Sequence, residues 1–464
     1  MKPKAGNNST QPQRPGQSRS IGKKCRTSPP NSTSQINSAA NGRQFNAAGL
    51  ETWLRYIRQL ALPDGKLQSA QAVRVGQALL RLQRGLTGER TLVNKAEATL
   101  SYMDDPDLLA AYLLYYWPVS YTQAAYCLSR LTLPTPKAPQ PEQAGDPVFR
   151  ILDAGCGPGP LSAAALDWLT ASRYQAHDNQ TLGTDTPAPQ TLAQKIELTI
   201  CDLSADTLAL AENILTRPNM PELDLHPIVL NLTEQPLPAG PFDLIMFGHS
   251  LNEVAAAGGD VGLLLDQVRS RLTPGGRLLL LEPALLATAR ALISQRDRLL
   301  AAGLQLLAPC TLQAACPAFS QGPNQTCHEE FSWTMPSEVA ELAAQAGLDR
   351  QTVKFAWFAF ATPSGDAPGA APVTVPTLLP IAAAQAAPDV YRVVSDPMLN
   401  KAGRLRYLLC GPGGRFPLSA PHTSQTAKAA GFFRLSRGTY LQVEQPEIRE
   451  NGWGMAEATE LKPV

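Results

Sequence analysis

A short apolar run, Phe149 to Ala154, meets the glycine cluster Gly155-Cys156-Gly157-Pro158-Gly159, and a helical stretch from Leu161 to Leu169 follows at once. This strand–loop–helix junction constrains the fold more than any other feature of the chain. Glycines there let the backbone turn tightly and approach a ligand, while the helix N-terminus offers unpaired N–H groups. Beyond the junction the pattern alternates. Strands are predicted at Ile196–Cys201, Pro227–Leu230, Leu244–Phe247 and Arg277–Glu282, with helices at Ala205–Leu215, Gly262–Leu272 and Ala284–Ala302. Such alternation predicts a parallel sheet covered by helices on both faces. Polar, turn-rich residues from Ser172 to Gln190 read as an insertion loop before the second strand.

The details of the glycine loop favour S-adenosylmethionine as its ligand. Position 160 is Pro, and the Gly-x-Gly-x-x-Gly/Ala pattern of dinucleotide binders is absent. Asp153 precedes the first glycine by two residues, where a carboxylate can meet the ammonium of a methionyl group. The second strand ends at Asp202, whose carboxylate can accept both ribose hydroxyls, and Ser204 suits the N-cap of the next helix. Asp202 lies 47 residues beyond Gly155, against the usual ~20, an excess the polar insertion accounts for. Asn231, after the third strand, stands where an adenine contact is expected. The candidate cofactor residues are therefore Asp153, Gly155, Gly157, Gly159, Asp202 and Asn231. A Rossmann-like domain with another ligand, or none, is the alternative.

Chemistry in such a domain belongs at the end of the fourth strand, here Gly248-His249-Ser250-Leu251-Asn252-Glu253. His249 is a candidate general base with a pKa near neutrality. Asn252 and Glu253 are candidates to position a substrate or to cap the next helix. The Asn/Asp-Pro-Pro-aromatic motif of exocyclic-amine methylation is absent, and no Cys stands in the Pro-Cys or Thr-Cys context of base-C5 methylation. Cofactor binding is thus better supported than methyl transfer.

A second cluster follows the fifth strand. Cys310, Cys316 and Cys327 fall within 18 residues, two of them beside proline, in a stretch unsuited to a helix or strand. A loop wrapped around a metal is the natural alternative, and a fourth thiolate is needed to close a tetrahedral or cubane site. Cys410, followed by Gly411-Pro-Gly-Gly, is the candidate, because glycines let the backbone approach. Zinc and a 4Fe–4S cluster both suit four thiolates, and His328 can replace Cys410 in a zinc site. Cys25 lies in a tail expected to be disordered, whereas Cys127, Cys156 and Cys201 fit ordinary burial. Eight cysteines without the ~7–15-residue apolar core of an export signal point to a reducing compartment.

The charge is unevenly placed. Residues 1–50 carry eight Lys or Arg and no acid, and Tyr391 to Tyr440 carries eight more against the single acid Asp396, although the chain's formal net charge is only +1. Basic ends flanking a neutral middle suggest an anionic partner. No run of 18 apolar residues predicts a membrane span. The expected organisation is a disordered basic tail (1–47), a helical domain (48–133), an α/β domain (148–362) with a cysteine loop (308–328), an Ala/Pro-rich linker (363–387) and a basic segment (388–455) that supplies Cys410. In the helical domain, Trp53, Leu54, Ile57 and Leu60 share one face, and a second helical run from Asp107 to Leu131 is interrupted at Pro118.

Several of these motifs together resemble the methyltransferase-like Rsm-twenty-two family of mitochondria and bacteria. They are Tyr112-Leu-Leu-Tyr-Tyr-Trp-Pro118, Leu251-Asn-Glu, Leu281-Glu-Pro with Ala289-Arg290 beyond it, Ala-Pro-Cys310, Cys316-Pro, Cys327-His328 and Trp453-Gly454. The resemblance covers roughly residues 50 to 455. It implies a Rossmann-like class I methyltransferase sheet with a helical N-terminal part and a small β-rich C-terminal segment. It further implies a 4Fe–4S cluster on four cysteines, association with the small ribosomal subunit and its rRNA during assembly, and a cytoplasmic or mitochondrial-matrix location. An active rRNA methyltransferase, and a zinc-stabilised binding protein with a vestigial cofactor pocket, are the rival readings.

Overall fold

The computed structural model describes residues 44–62, 64–86, 103, 105–134, 147–181, 195–218, 220, 222–363 and 390–464, without the side chains of 84–86 and 173–181. The basic tail up to residue 43 with Cys25, residues 135–146, and the expected Ala/Pro-rich linker from residue 364 onward lie outside the described residues.

Four helical segments come first: α1 (Leu50–Ala61), α2 (Ser69–Leu86), α3 (Pro106–Ala111) and α4 (Trp117–Leu128). Asp105 caps α3 by accepting from the N–H groups of Asp107 and Leu108, the usual answer to unpaired first-turn donors. The expected break at Pro118 does not occur. A π-helical turn, Tyr112–Tyr116, joins α3 to α4 and places Pro118 in the first turn of α4. A proline lacks the N–H that a helix interior needs, and the wider π turn relieves that demand.

The α/β part runs β1 (Val148–Ala154), α5 (Pro160–Thr181), β2 (Lys195–Asp202), α6 (Ala205–Leu215), β3 (Leu223–Val229), β4 (Phe242–Gly248), α7 (Leu251–Ala256), α8 (Val261–Asp266), α9 (Val268–Arg271), β5 (Leu272–Pro283) and α10 (Leu286–Ala301). It continues with β6 (Gln305–Ala308), α11 (Pro317–Ser320), β7 (Glu329–Ser332), α12 (Ser337–Ala346) and β8 (Thr352–Ala361). Two expectations shift here. Helix α5 extends ten residues into the predicted insertion, to Thr181. The single helix predicted at Gly262–Leu272 is two short ones, and Leu272 already begins β5.

The sheet order is β3-β2-β1-β4-β5-β8-β6, with β7 paired to the other end of β8. Strands β1 to β5 are parallel, and β8 runs antiparallel to β5. Neighbouring residues serve opposite faces. Leu244 and Met246 of β4 pack into one core, while Ile245 and Phe247 pack into the other. Both faces are covered, which explains the near-continuous apolar strands.

The first core is shared with the N-terminal helices, so the segment expected as a separate helical domain is one face of the α/β unit. Trp53, Leu54 and Ile57 are buried in it as the helical spacing predicted. Tyr126 of α4 stacks on Phe331 of β7 at 4.4 Å and lies edge-on to Phe355 and Trp357 of β8. Phe45, inside the expected tail, is edge-on to Tyr126, and its N–H donates to the Ser332 carbonyl.

The last segment forms a second sheet, the β-rich C-terminal segment that was expected. Its strands are β9 (Val390–Val393), β10 (Met398–Leu399), β11 (Arg404–Gly411), β12 (Gly414–Pro421), β13 (Tyr440–Glu444), β14 (Glu447–Arg449), β15 (Gly452–Gly454) and β16 (Glu460–Pro463), in the order β14-β15-β12-β11-β9-β13-β16 with β10 on β11. Its small core gathers Tyr391, Tyr407, Leu409, Leu418 and Phe432. Polar contacts fasten it to the first sheet: the Tyr440 hydroxyl donates to the Pro309 carbonyl at 2.6 Å and the Gln321 amide to the Arg415 carbonyl at 2.5 Å. Among the described residues no helix is long and apolar enough to cross a membrane.

Truncating the ring at the centre of the shared core tests whether helices and sheet are one unit. Tyr126→Ala should cost about 3–5 kcal/mol, the usual loss for a large buried aromatic. Urea unfolding followed by circular dichroism and by tryptophan emission should show one coincident transition at a lower midpoint. Separate transitions would mean that the helices form a domain of their own.

Candidate cofactor pocket and cysteine centre

The sheet order reverses between β1 and β4, and ligands of open α/β sheets bind in the crevice beyond the strand ends at such a point. The glycine loop leaves β1 there. Gly155 takes φ +75°, and a Cβ at that position would stand 2.5 Å from the Ser250 Cβ at the start of α7, so no other residue fits. The N–H groups of Gly155 and Cys156 donate to the Cys201 carbonyl of β2, and the Ser250 hydroxyl donates to the Ala154 carbonyl. Three strand ends are thereby held together.

Asp202 stands at the tip of β2 as expected. Its carboxylate accepts from the Gly157 N–H at 3.0 Å and from the Ser204 N–H at 3.0 Å, and Ser204 caps α6. Burial raises its pKa against the pull of those backbone bonds. Asp153 lies deeper than a direct ammonium contact implies, only 1% exposed. One carboxylate oxygen accepts from the hydroxyl (2.7 Å) and N–H (3.1 Å) of Ser162 on α5, and the other is buried without a protein partner among the described residues. Burial, opposed by Ser162, pushes its pKa up to about 7. Asn231 uses its amide oxygen to hold a turn, accepting from the Thr233 hydroxyl and N–H.

At the end of β4, His249 adopts a left-handed backbone (φ +63°), uncommon for a non-glycine residue and frequent at functional sites. Its Nε2 lies 2.9 Å from the Gln123 side-chain oxygen on α4, while Nδ1 is buried without a partner among the described residues. Burial, aided by the Arg350 charge, lowers its pKa to about 4. The imidazole is therefore neutral at pH 7, not poised near neutrality as the sequence suggested. Glu253 is exposed on α7. The buried carboxylate is Glu282 at the end of β5, which accepts from the Asn252 side chain at 2.6 Å and its N–H at 3.2 Å. Burial pushes Glu282 up to about 7. Glu282 and Gln123 were missed as site residues. The signals for Glu282 were an acid closing an apolar strand and its place in the Leu281-Glu-Pro motif; nothing local marked Gln123.

Helix α4 closes this end of the sheet. The Trp117 indole donates to the Pro158 carbonyl of the glycine loop at 3.0 Å, beside the Gln123–His249 contact.

Cys310, Cys316, Cys327 and Cys410 line one small cavity, together with Thr311, Phe358, Arg392 and Arg415. Three come from the segment after β6, where Cys316 caps the short α11. Cys410 comes from β11 of the second sheet, inside a strand rather than in a loop. Gly411 allows the approach that the sequence anticipated, since a Cβ there would stand 2.8 Å from the Val390 carbonyl. Burial raises the thiol pKa values of Cys310, Cys316 and Cys410, Cys316 to about 12. None of the described cysteines is disulfide-bonded. Among the described residues no three His, Cys, Asp or Glu side chains form a group that could hold a metal ion. His328 turns instead toward Glu330, at 3.8 Å. Cys127, Cys156 and Cys201 are buried away from the cavity.

A family model described as a methyltransferase domain matches residues 120–349, beginning inside α4 and ending after α12. No curated protein matches the chain. Solved structures similar to it include a SAM-dependent methyltransferase from Aquifex aeolicus (13% identity, TM-score 0.20, 30% of this chain and 58% of that one). Others are an S-adenosylmethionine-dependent methyltransferase from Mesorhizobium loti (18%, 0.28, 52% and 97%) and the magnesium protoporphyrin IX methyltransferase of Synechocystis with bound SAM (11%, 0.30, 55% and 83%). The chain spans little more than half the length of the Aquifex protein. The family match and the strand order establish a class I methyltransferase domain of Rossmann-like α/β fold, followed by a β-rich C-terminal segment.

Glu282 makes stability depend on pH in a set direction. Its folded pKa of about 7 exceeds the unfolded value of about 4.3, so its stabilising protonation is complete below the unfolded value. That contribution is lost as pH climbs through the folded one. Glu282→Gln removes this dependence. The stability of the variant relative to the parent should therefore rise steadily from about pH 4.5 to pH 8, read from urea midpoints across that range. A constant difference would show that Glu282 titrates normally.

Proposed function

We propose that the chain is an S-adenosylmethionine-binding, iron–sulfur protein that acts on the small ribosomal subunit through its rRNA. The observation that carries this reading is the convergence of four cysteines on one cavity, three from the segment after β6 and one from the second sheet, beside a methyltransferase domain. S-adenosylmethionine binding is supported by the family match, by the glycine loop and by Asp202 at the tip of β2. The buried, unpaired Asp153 oxygen suits a ligand ammonium reached through water better than a direct ion pair.

The cysteine cavity fits a thiolate-bound group. Three of its sulfurs come from the segment after β6 and the fourth from a strand of the second sheet, and Arg392 and Arg415 line it with nitrogens that are buried without a partner among the described residues. The family resemblance implies a 4Fe–4S cluster on these four thiolates, and zinc on the same four is the rival reading. Cys310, Cys316, Cys327 and Cys410 would hold the cluster, which when bound supplies covalent cross-links between the two sheets. On the methyltransferase side, neutral His249 and the Asn252–Glu282 pair line the place where a substrate would meet the cofactor's methyl group. An imidazole with pKa about 4 is a weak base at neutral pH, which supports a binding role over catalysis.

Anaerobic purification followed by iron, sulfide and zinc analysis tests the cluster, and calorimetry with S-adenosylmethionine tests the pocket. The parent should carry iron and sulfide, and Cys410→Ser should lose most of both while Cys127→Ser keeps them. Asp202→Ala should bind S-adenosylmethionine roughly tenfold more weakly or worse, since a charge-assisted hydrogen bond contributes ~1.5–3 kcal/mol. Zinc without sulfide in the parent would replace the cluster reading with the zinc one.

For rRNA, the basic C-terminal segment divides sharply. Lys401, Arg406, Lys428 and Arg434 are exposed, whereas Arg392 is buried and the Arg437 guanidinium donates to the Val394 carbonyl and to Asp396. Changing the four exposed cations to Gln should weaken binding to small-subunit rRNA. The slope of log K against log salt should fall by up to about 3, at ~0.7 per phosphate contact on single strands. An unchanged slope would remove this face from RNA binding.

A further inference from the structure

Three guanidinium groups gather at the cysteine cavity, and they differ in how their charge is balanced. Arg392, on β9, is 1% exposed; it pairs with the equally buried Glu329 at 2.8 Å and donates to the Cys327 sulfur at 3.5 Å. Arg296, on α10, is 1% exposed and pairs with Asp297. It also donates to the carbonyls of Leu312 and Ala314, which shapes the loop between Cys310 and Cys316. Asp297 in turn accepts from the Cys316 N–H.

Arg415 is different. It stands directly across from Cys410 in the β11–β12 register and lines the cavity. Its Nε and Nη1 are buried without a hydrogen-bond partner among the described residues, and no described carboxylate forms an ion pair with it. Glu329, two residues beyond Cys327, and Asp297, which accepts from the Cys316 N–H, are already committed to Arg392 and Arg296. Burying donors and charge without a partner is costly. The cavity therefore presents one cation that the protein itself leaves unbalanced, with its N–H edge turned inward.

A thiolate-bound cluster is the natural complement, because four thiolate charges outweigh the positive core they hold. We propose that Arg415 is the charge partner of that cluster, a positioning residue whose inward N–H edge favours the anionic group and, above all, its reduced and more negative form. This inference rests on the cluster reading given above. Arg392 and Arg296 orient the cysteine loops and act on the sulfurs beside them, but each is already matched by a carboxylate. Arg415 thus sets the redox poise from the second sheet, on the strand that neighbours Cys410.

The test is a redox titration of the anaerobically reconstituted full chain, followed by the visible absorbance of the cluster, with dithionite as the one-electron reductant. Removing a cation beside the cluster disfavours the reduced form. Arg415→Gln should therefore shift the oxidised-to-reduced equilibrium about tenfold toward the oxidised form, a midpoint more negative by about 59 mV for a one-electron couple. Arg415→Lys, which keeps the charge, should return most of that shift, and Lys66→Gln, exposed and far from the cysteines in sequence, should leave the parent value unchanged. Iron and sulfide content is measured on every variant. A parent that binds no iron or sulfide would overturn the cluster reading, and this inference with it. A loaded parent and a loaded Arg415→Gln with equal midpoints would overturn this inference alone. Should Arg415→Gln fail to load, the lysine variant decides: loading at the parent level supports the charge role, and failure equal to that of the glutamine variant overturns it.

Discussion

The relation between the two sheets depends on one buried ion pair. Arg392 of β9 and Glu329 of β7 meet at 2.8 Å with both side chains about 2% exposed. A pair so deeply desolvated gains little over apolar packing, yet breaking it by removing one partner typically costs ~3–5 kcal/mol. Its value is therefore in specifying position. Once Arg392 is seated, β9 is fixed beside Cys327, and β11 follows through its pairing of Cys410 with Arg392. Cys410 is thus delivered to a cavity otherwise built by the first sheet. The hydroxyl of Tyr440 on the Pro309 carbonyl, next to Cys310, secures the same junction from β13.

A similar dependence joins the N-terminal helices to the cofactor crevice. The π turn at Tyr112–Tyr116 lets α3 and α4 form one bent rod despite Pro118. That geometry puts the Trp117 indole on the glycine loop and the Gln123 amide on His249. The helices are therefore part of the site as well as of the core. Asp167 of α5 ties the arrangement back, accepting from the Trp53 indole and the Tyr121 hydroxyl. The family match begins within α4, in keeping with a helix that belongs to the α/β unit.

How much of this was legible follows from the range of each signal. The glycine loop, Asp202 and the alternation of strands are local patterns, and they folded where the sequence put them. The convergence of Cys410 with three distant cysteines was readable because cysteine is scarce and its chemistry narrow. Other features were not readable. The start of β5 at Leu272 lies in a run that also satisfies helical spacing, and pairing with Phe242 decides it. Helix α5 extends into polar residues because nothing before Thr181 stops it. Glu282 rather than Glu253 became the buried acid, since only β5 carries its terminal residue inward toward Asn252.

Charge shows the limit most clearly. Eight basic residues between Tyr391 and Tyr440 against one acid look, by count, like a surface for a polyanion. Orientation divides them. In the β11–β12 hairpin Arg406 and Arg415 share one face of the sheet, yet Arg415 stands directly across from Cys410 and lines the cysteine cavity, whereas Arg406, four residues along β11 from Cys410, reaches solvent. Arg392 is deeper still, because β9 is an interior strand between β11 and β13. A residue count measures the charge available to a partner only when every cation faces water. Here part of an apparent nucleic-acid footprint faces inward, where low dielectric makes each cation act more strongly on the sulfurs beside it than an exposed one acts across solvent.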